Sequence, residues 1–154
     1  MQRKLTSSEE KAYKQAALEI YQREGHPTHL HEQCIKMDIH DMNLMLEWTV
    51  KMKKNPSPGL AMEALTFFVD ENRREKQELK SLGCSDQEVE KLTLSTALKI
   101  LEEVDILKKV TLKYQQAYQA CFNKLSASKL FTPKKGRDET DTDKNQPRSY
   151  GYKK

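Results

Sequence analysis

Glycine and proline are scarce, five of each in 154 residues, and that scarcity excludes a turn-rich all-β fold. Aromatic residues make up only 7% of the chain and hydrophobic residues 36%. A lean composition of this kind suits helices that each bury one stripe. No stretch approaches the roughly 18 uninterrupted apolar residues of a membrane span, so no membrane association is expected. The start, Met1-Gln2-Arg3-Lys4-Leu5-Thr6, has no apolar segment after its basic residues and does not read as a secretory signal. Cysteine is odd in number and widely spaced, at Cys34, Cys84 and Cys121, which is no disulfide framework. The expectation is a soluble protein of the reducing cytoplasm, its cysteines serving as small apolar side chains.

Catalytic signatures are missing as well. There is no Gly-rich phosphate loop, no nucleophile elbow and no His-Glu-x-x-His pair. The glycines at 25, 59, 83, 136 and 151 stand singly, as punctuation. Glu102, Glu103 and Asp105 read as a solvated helix face, and no buried carboxylate pair suited to acid–base work is expected. Neither an enzyme activity nor a cofactor follows from such a sequence.

Charge is abundant at 32% of residues, and it is unevenly placed. Residues 129 to 154 hold eight Lys and Arg against four Asp and Glu, which accounts for the whole net charge of +4. The other 128 residues carry nineteen of each sign. Basicity is therefore a property of the C-terminal segment, where helical periodicity also stops. Few large apolar residues there offset ordering entropy, so a disordered tail over 129–154 is expected, after a helical domain over 1–128. Lys134, Lys135, Arg137, Arg148, Lys153 and Lys154 are the residues that could engage phosphates, should nucleic acid be a partner.

Caps and breakers divide the body into helices. Ser7 with Glu10 predicts a capping box for a first helix from about Ser8 to Glu24, which Gly25 and Pro27 end. A second helix is expected over 28–54, with a break near Asp38 left open because Asp38 or Asp41 could cap a second piece. Asn55-Pro56-Ser57-Pro58-Gly59 is a clear interruption, with Ser57 placed as N-cap and Pro58 as first helical residue of a third helix ending near Leu82. That helix is apolar in its first half, from Leu60 to Val69. Its second half, Asp70-Glu71-Asn72-Arg73-Arg74-Glu75-Lys76-Gln77-Glu78, is charged or amide throughout and expected to face water. Gly83 closes it.

The last helix is expected to be the organising element. Ser85 and Glu88 form a capping box, and neither Gly nor Pro recurs until Pro133. Ala97, Ile100, Val104, Leu107, Thr111, Tyr114, Tyr118, Cys121 and Leu125 keep an alternating three–four spacing. Leu94, Leu101, Val110, Ala117 and Phe122 broaden that stripe on both flanks, which favours a bundle over a bare two-stranded seam. One helix of this length would span about 60 Å against about 25 to 40 Å for the others. A protruding, apolar end then calls for a partner.

Two patterns invite chemistry. All four histidines, His26, His29, His31 and His40, lie within fifteen residues, with Cys34 and Asp41 among them. His26, His29, His31 and Cys34 are zinc-type ligands by residue type, but their spacing matches no standard zinc pattern, so a polar helix entry is preferred and no metal is assigned. His40-Asp41 resembles the paired ligands of the HD-type metal-dependent phosphohydrolases. The histidine that pair needs a few tens of residues upstream is missing, and the family is not assigned. Leu82-Gly83-Cys84-Ser85-Asp86-Gln87-Glu88-Val89 resembles the helix entry of a helix-turn-helix of the LuxR or sigma-region-4 kind. Glu90 stands where that motif needs a small residue, so no DNA-reading role is carried over. Met37, Met42, Met45 and Met52, with Trp48, read first as core filling and second as an adaptable docking face.

The sequence thus predicts an all-α bundle of four to five helices built on one long C-terminal helix. Its expected function is non-enzymatic: docking of a protein partner, or of a second copy, through Leu107, Tyr114, Tyr118, Phe122 and Leu125.

Overall fold

A computed structural model describes residues 2–131, without the side chains of 93, 94 and 124–131. The described chain is helical, with no strand among the described residues. Helix α1 spans Ser7–Arg23, α2 Thr28–Lys54 and α3 Pro58–Ser81. After Gly83 come α4 Asp86–Glu90, a π-helical turn Lys91–Ser95, α5 Thr96–Glu103 and α6 Asp105–Phe131. Among the described residues, no helix is long and apolar enough to cross a membrane.

Local chemistry explains most of the boundaries. Ser57 accepts from the Leu60 amide with Pro58 at the first helical position. Ser85 and Glu88 form the expected reciprocal capping box. Gly25 and Gly83 take φ of 75° and 101° where the chain turns out of a helix, a region open to glycine at little cost. The α1 cap lies one residue earlier than expected: Thr6 and Glu9 make the box. Leu5 is buried and its amide donates to Asn43 Oδ1 at 2.8 Å, which pins the entry to α2 and selects that register. Helix α2 is continuous, so neither Asp38 nor Asp41 caps a second piece.

The single long last helix is corrected. The span of roughly 40 residues is divided by the π turn and by a break at Val104, which is extended at φ −109° and ψ 108°. Val104 still donates to the Ile100 carbonyl, while its own carbonyl accepts from Leu107 and Lys108 and so starts α6. A β-branched residue between Glu103 and Asp105 is a weak point in a helix, and aspartate favours the first turn of a new one. The bend turns α5 onto the end of α1, where Arg23 meets Glu103 at 2.6 Å and Lys99 meets Glu24 at 2.8 Å. α6 then has 27 residues, like α2, and both are about 40 Å long. The length mismatch that argued for a protruding end disappears.

Helix α2 is the centre of the bundle. It packs most extensively on α6 and also against α1 and α3. Two cores form along it. The first joins Tyr13, Ala17, Ile20, Leu30, Met42, Leu46, Leu79, Val89, Ile100 and Val110. The second joins Trp48 and Met52 to Ala61, Ala64, Ala117 and Cys121, with Phe67, Phe68, Tyr114, Tyr118 and Phe122 packed around them. On α6 the deepest residues are Val110, Ala117 and Cys121, so the stripe is rotated toward its expected flank.

Candidate functional site

Two surfaces emerge, one apolar and one polar. The apolar one is a groove between α3 and α6 lined by Leu65, Leu112, Tyr114, Tyr118 and the amides Gln115, Gln116 and Gln119. None of its lining residues is charged, in a chain where about a third of residues are. Beside it, Met62, Leu65 and Val69 repeat along α3 at helical spacing and stay 50%, 44% and 48% exposed, while Leu112 is 55% exposed. Helix α3 is apolar on more than one face over Leu60 to Val69, and it cannot bury all of them against α2 and α6.

A ladder of rings backs the groove. Phe67 and Phe68 meet edge to face with centroids 5.5 Å apart, and Phe68 meets Tyr114 in the same way at 5.5 Å. Tyr114 stacks on Tyr118 at 5.9 Å, and Tyr118 contacts Phe122 at 5.2 Å. Burial pushes the Tyr114 hydroxyl up to about 12, so it stays a neutral donor. Of the residues expected to dock a partner, Tyr114, Tyr118 and Phe122 therefore come together, half-buried. Leu107 does not join them, because it packs against the first core. Leu125 and the tail residues Lys134, Lys135, Arg137, Arg148, Lys153 and Lys154 lie outside the described side chains. Sequence reasoning missed Leu112 and did not separate Leu65 and Val69 from the other apolar residues of the Leu60 to Val69 run; the signal was the surplus of apolar residues around α3.

The polar surface lies in the first core and along the α2–α3 seam. The Tyr13 and Tyr21 hydroxyls both donate to Asp38 Oδ2 at 2.8 Å. Burial pushes the Asp38 carboxyl up to about 7, although both tyrosines pull it the other way. One turn on, Asp41 is hydrogen-bonded to Glu75 of α3, and burial raises both. Two buried carboxyls this close do not both ionise, so the pair shares a proton. A cavity of about 130 Å³ beside them is lined by Tyr21, Cys34, Asp38, Asp41, Glu75 and Leu79. At its outer edge His40 Nε2 stands 3.1 Å from Glu71 Oε2. Glu71 is held below the ordinary carboxylate range, chiefly by Arg74 and then by His40.

The expectation for the charged half of α3 is corrected here. Glu75 belongs to the run expected to face water, yet it is buried at 8% exposure, and Leu79 one turn later is buried too. A buried carboxyl pair therefore exists, on residues other than Glu102, Glu103 and Asp105. The zinc-type quartet does not assemble: His26 binds the Thr96 hydroxyl, His31 Nε2 binds the His26 carbonyl, and burial pushes the Cys34 thiol up to about 12. Among the described residues, the histidine that stands with carboxylates at ligand distance is His40, with Asp41 and Glu71. No protein-family model, curated protein or solved structure matches this chain.

Proposed function

We propose that this protein is a non-enzymatic helical interaction module whose α3–α6 face docks an apolar helix, and that a second copy of the chain supplies that helix. The observation that carries the reading is the uncharged groove of Leu65, Leu112 and Tyr118 lying directly beside the exposed α3 stripe of Met62, Leu65 and Val69. Stripe and groove share Leu65, so a two-fold axis near it would lay each copy's stripe in the other's groove, a self-complementary arrangement. Depletion of charge at the centre of the patch is what interface cores show.

Magnitude sets the working range. Four half-exposed apolar side chains gain on the order of 1 kcal/mol each when covered. Two copies double that to roughly 8 kcal/mol, against an association cost of about 4 kcal/mol at its low end. The net of about 4 kcal/mol makes the dimer weak, populated over roughly 0.3–3 mM.

Sedimentation equilibrium on the full chain across that range tests it. Wild type should shift toward dimer, and the double variant Leu65→Glu, Leu112→Glu should stay monomeric. A wild type that is monomeric throughout, or a dimer that persists in the double variant, would overturn the proposal.

A further inference from the structure

The seam between α2 and α3 gathers more metal-ligating groups than packing needs. His40 and Asp41 are consecutive on α2. Glu71 and Glu75 are one turn apart on α3 and so share the face turned toward α2. His40 Nε2, an Asp41 carboxylate oxygen and a Glu71 carboxylate oxygen all lie within 4.8 Å of one another. The His40 Nε2 to Glu71 Oε2 separation of 3.1 Å is that of two neighbouring ligands on one ion, whose bonds of about 2.0–2.2 Å set them about 3 Å apart.

A second observation concerns the buried flank of that cluster. Glu75 is more than nine-tenths buried, and its Oε2 and Asp41 Oδ1 have no hydrogen-bond donor from any other group. Both residues line the same cavity. Arg74 Nη2 stands 4.0 Å from Glu75 Oε2, beyond hydrogen-bond reach. These two buried acidic oxygens are held only by the proton they share, and a cation can take that proton's place.

We propose that His40, Asp41, Glu71 and Glu75 form a site for one divalent transition-metal ion, bound through His40 Nε2 and the three carboxylates. Imidazole among the ligands selects zinc, manganese or iron over magnesium and calcium, which prefer oxygen alone. The pairing is made with glutamates of the neighbouring helix, a turn apart, and uses no second histidine. Arg74 is the competitor, because its Nη2 donates to Glu71 Oε2 at 3.1 Å. It also holds Glu78 Oε1 at 3.2 Å and keeps that contact if the ion takes Glu71. Exchanging one exposed ion pair costs little.

Titration of the chelator-treated full chain with zinc chloride by calorimetry, and with cobalt(II) chloride by visible absorption, tests the site. One equivalent should bind, with a cobalt d–d band. His40→Ala and Glu71→Gln should each weaken binding at least about 10-fold; both side chains reach solvent, so both variants keep the fold. Arg74→Ala should leave binding unchanged or tighten it, and His29→Ala should not alter it. No binding by wild type overturns the site. So does binding retained in a His40→Ala, Glu71→Gln double variant, weakened by Arg74→Ala, or lost in His29→Ala.

Discussion

The two cores along α2 are closed in different ways. Around Leu30 to Leu46, branched and thioether side chains interlock with α1, α5 and α6, and Tyr13 and Tyr21 are tied to the buried Asp38. Around Trp48 and Met52, the floor is made of small residues, Ala61, Ala64, Ala117 and Cys121, each at most 1% exposed. Small residues at a crossing let helices approach closely. The rings of Phe67, Phe68, Tyr114, Tyr118 and Phe122 are thereby displaced to the rim, and Leu65 and Leu112 are left outside. The first core seals itself at the expense of burying carboxyls. The second avoids buried charge and stays open along one side. That openness is the physical ground for a docking face.

The largest effect should come from the sealed core. Met42 is 1% exposed, so Met42→Ala should cost about 2–5 kcal/mol in urea unfolding. A loss below about 1 kcal/mol would mean that this core is loosely packed.

Next comes pH. The Asp38 carboxyl titrates near 7 in the fold and near 4 in the unfolded chain. The folded state therefore holds its proton more tightly. This contribution to stability is complete below about pH 4 and declines as pH rises to about 7, by a few kcal/mol at most. The raised Asp41–Glu75 pair acts in the same direction. Exposed carboxylates such as Glu24 are lowered and act oppositely, but solvent screens them. In chelator, wild type should thus be more stable at pH 5 than at pH 7.5, and Asp38→Asn should flatten the difference. An unchanged slope in that variant would assign the dependence to other groups.

The smallest effect belongs to the open core. Leu112→Glu, at an exposed position, should move the monomer's stability by no more than about 0.5 kcal/mol while abolishing association. A larger loss would show that Leu112 supports the fold rather than the interface.

Much of this fold is legible in the sequence because its stops and starts are local. Gly25, Ser57, Pro58, Gly83, Ser85 and Glu88 do in the structure what their chemistry dictates. Thr6–Glu9 and Ser7–Glu10 are equivalent capping boxes by sequence, and a tertiary contact, Leu5 to Asn43, decides between them. The break at Val104 leaves only a faint mark, a β-branched residue before an aspartate. The three–four spacing runs from Ile100 through Val104 to Leu107 without a slip, and the bend brings Glu103 to an ion pair with Arg23 of α1, 80 residues away in sequence. Glu75 is hidden for a related reason. Its neighbours in the chain are charged, and only Leu79 one turn later hints that this face turns inward. His40 and Asp41 stand out in the sequence, but Glu71 and Glu75, which complete their surroundings, belong to another helix. The groove depends on which apolar residues of α3 lose the competition for burial, and that is settled by Ala61 and Ala64 facing α6.

Hydrogen–deuterium exchange of the full chain at low and high concentration tests the contrast between the two cores most directly. Backbone amides over residues 60–70 and 111–119 should gain protection as concentration rises through roughly 0.3–3 mM, while those over 30–46 stay unchanged. Equal protection at all concentrations, or a gain confined to the first core, would contradict the account of an open, docking core beside a sealed one.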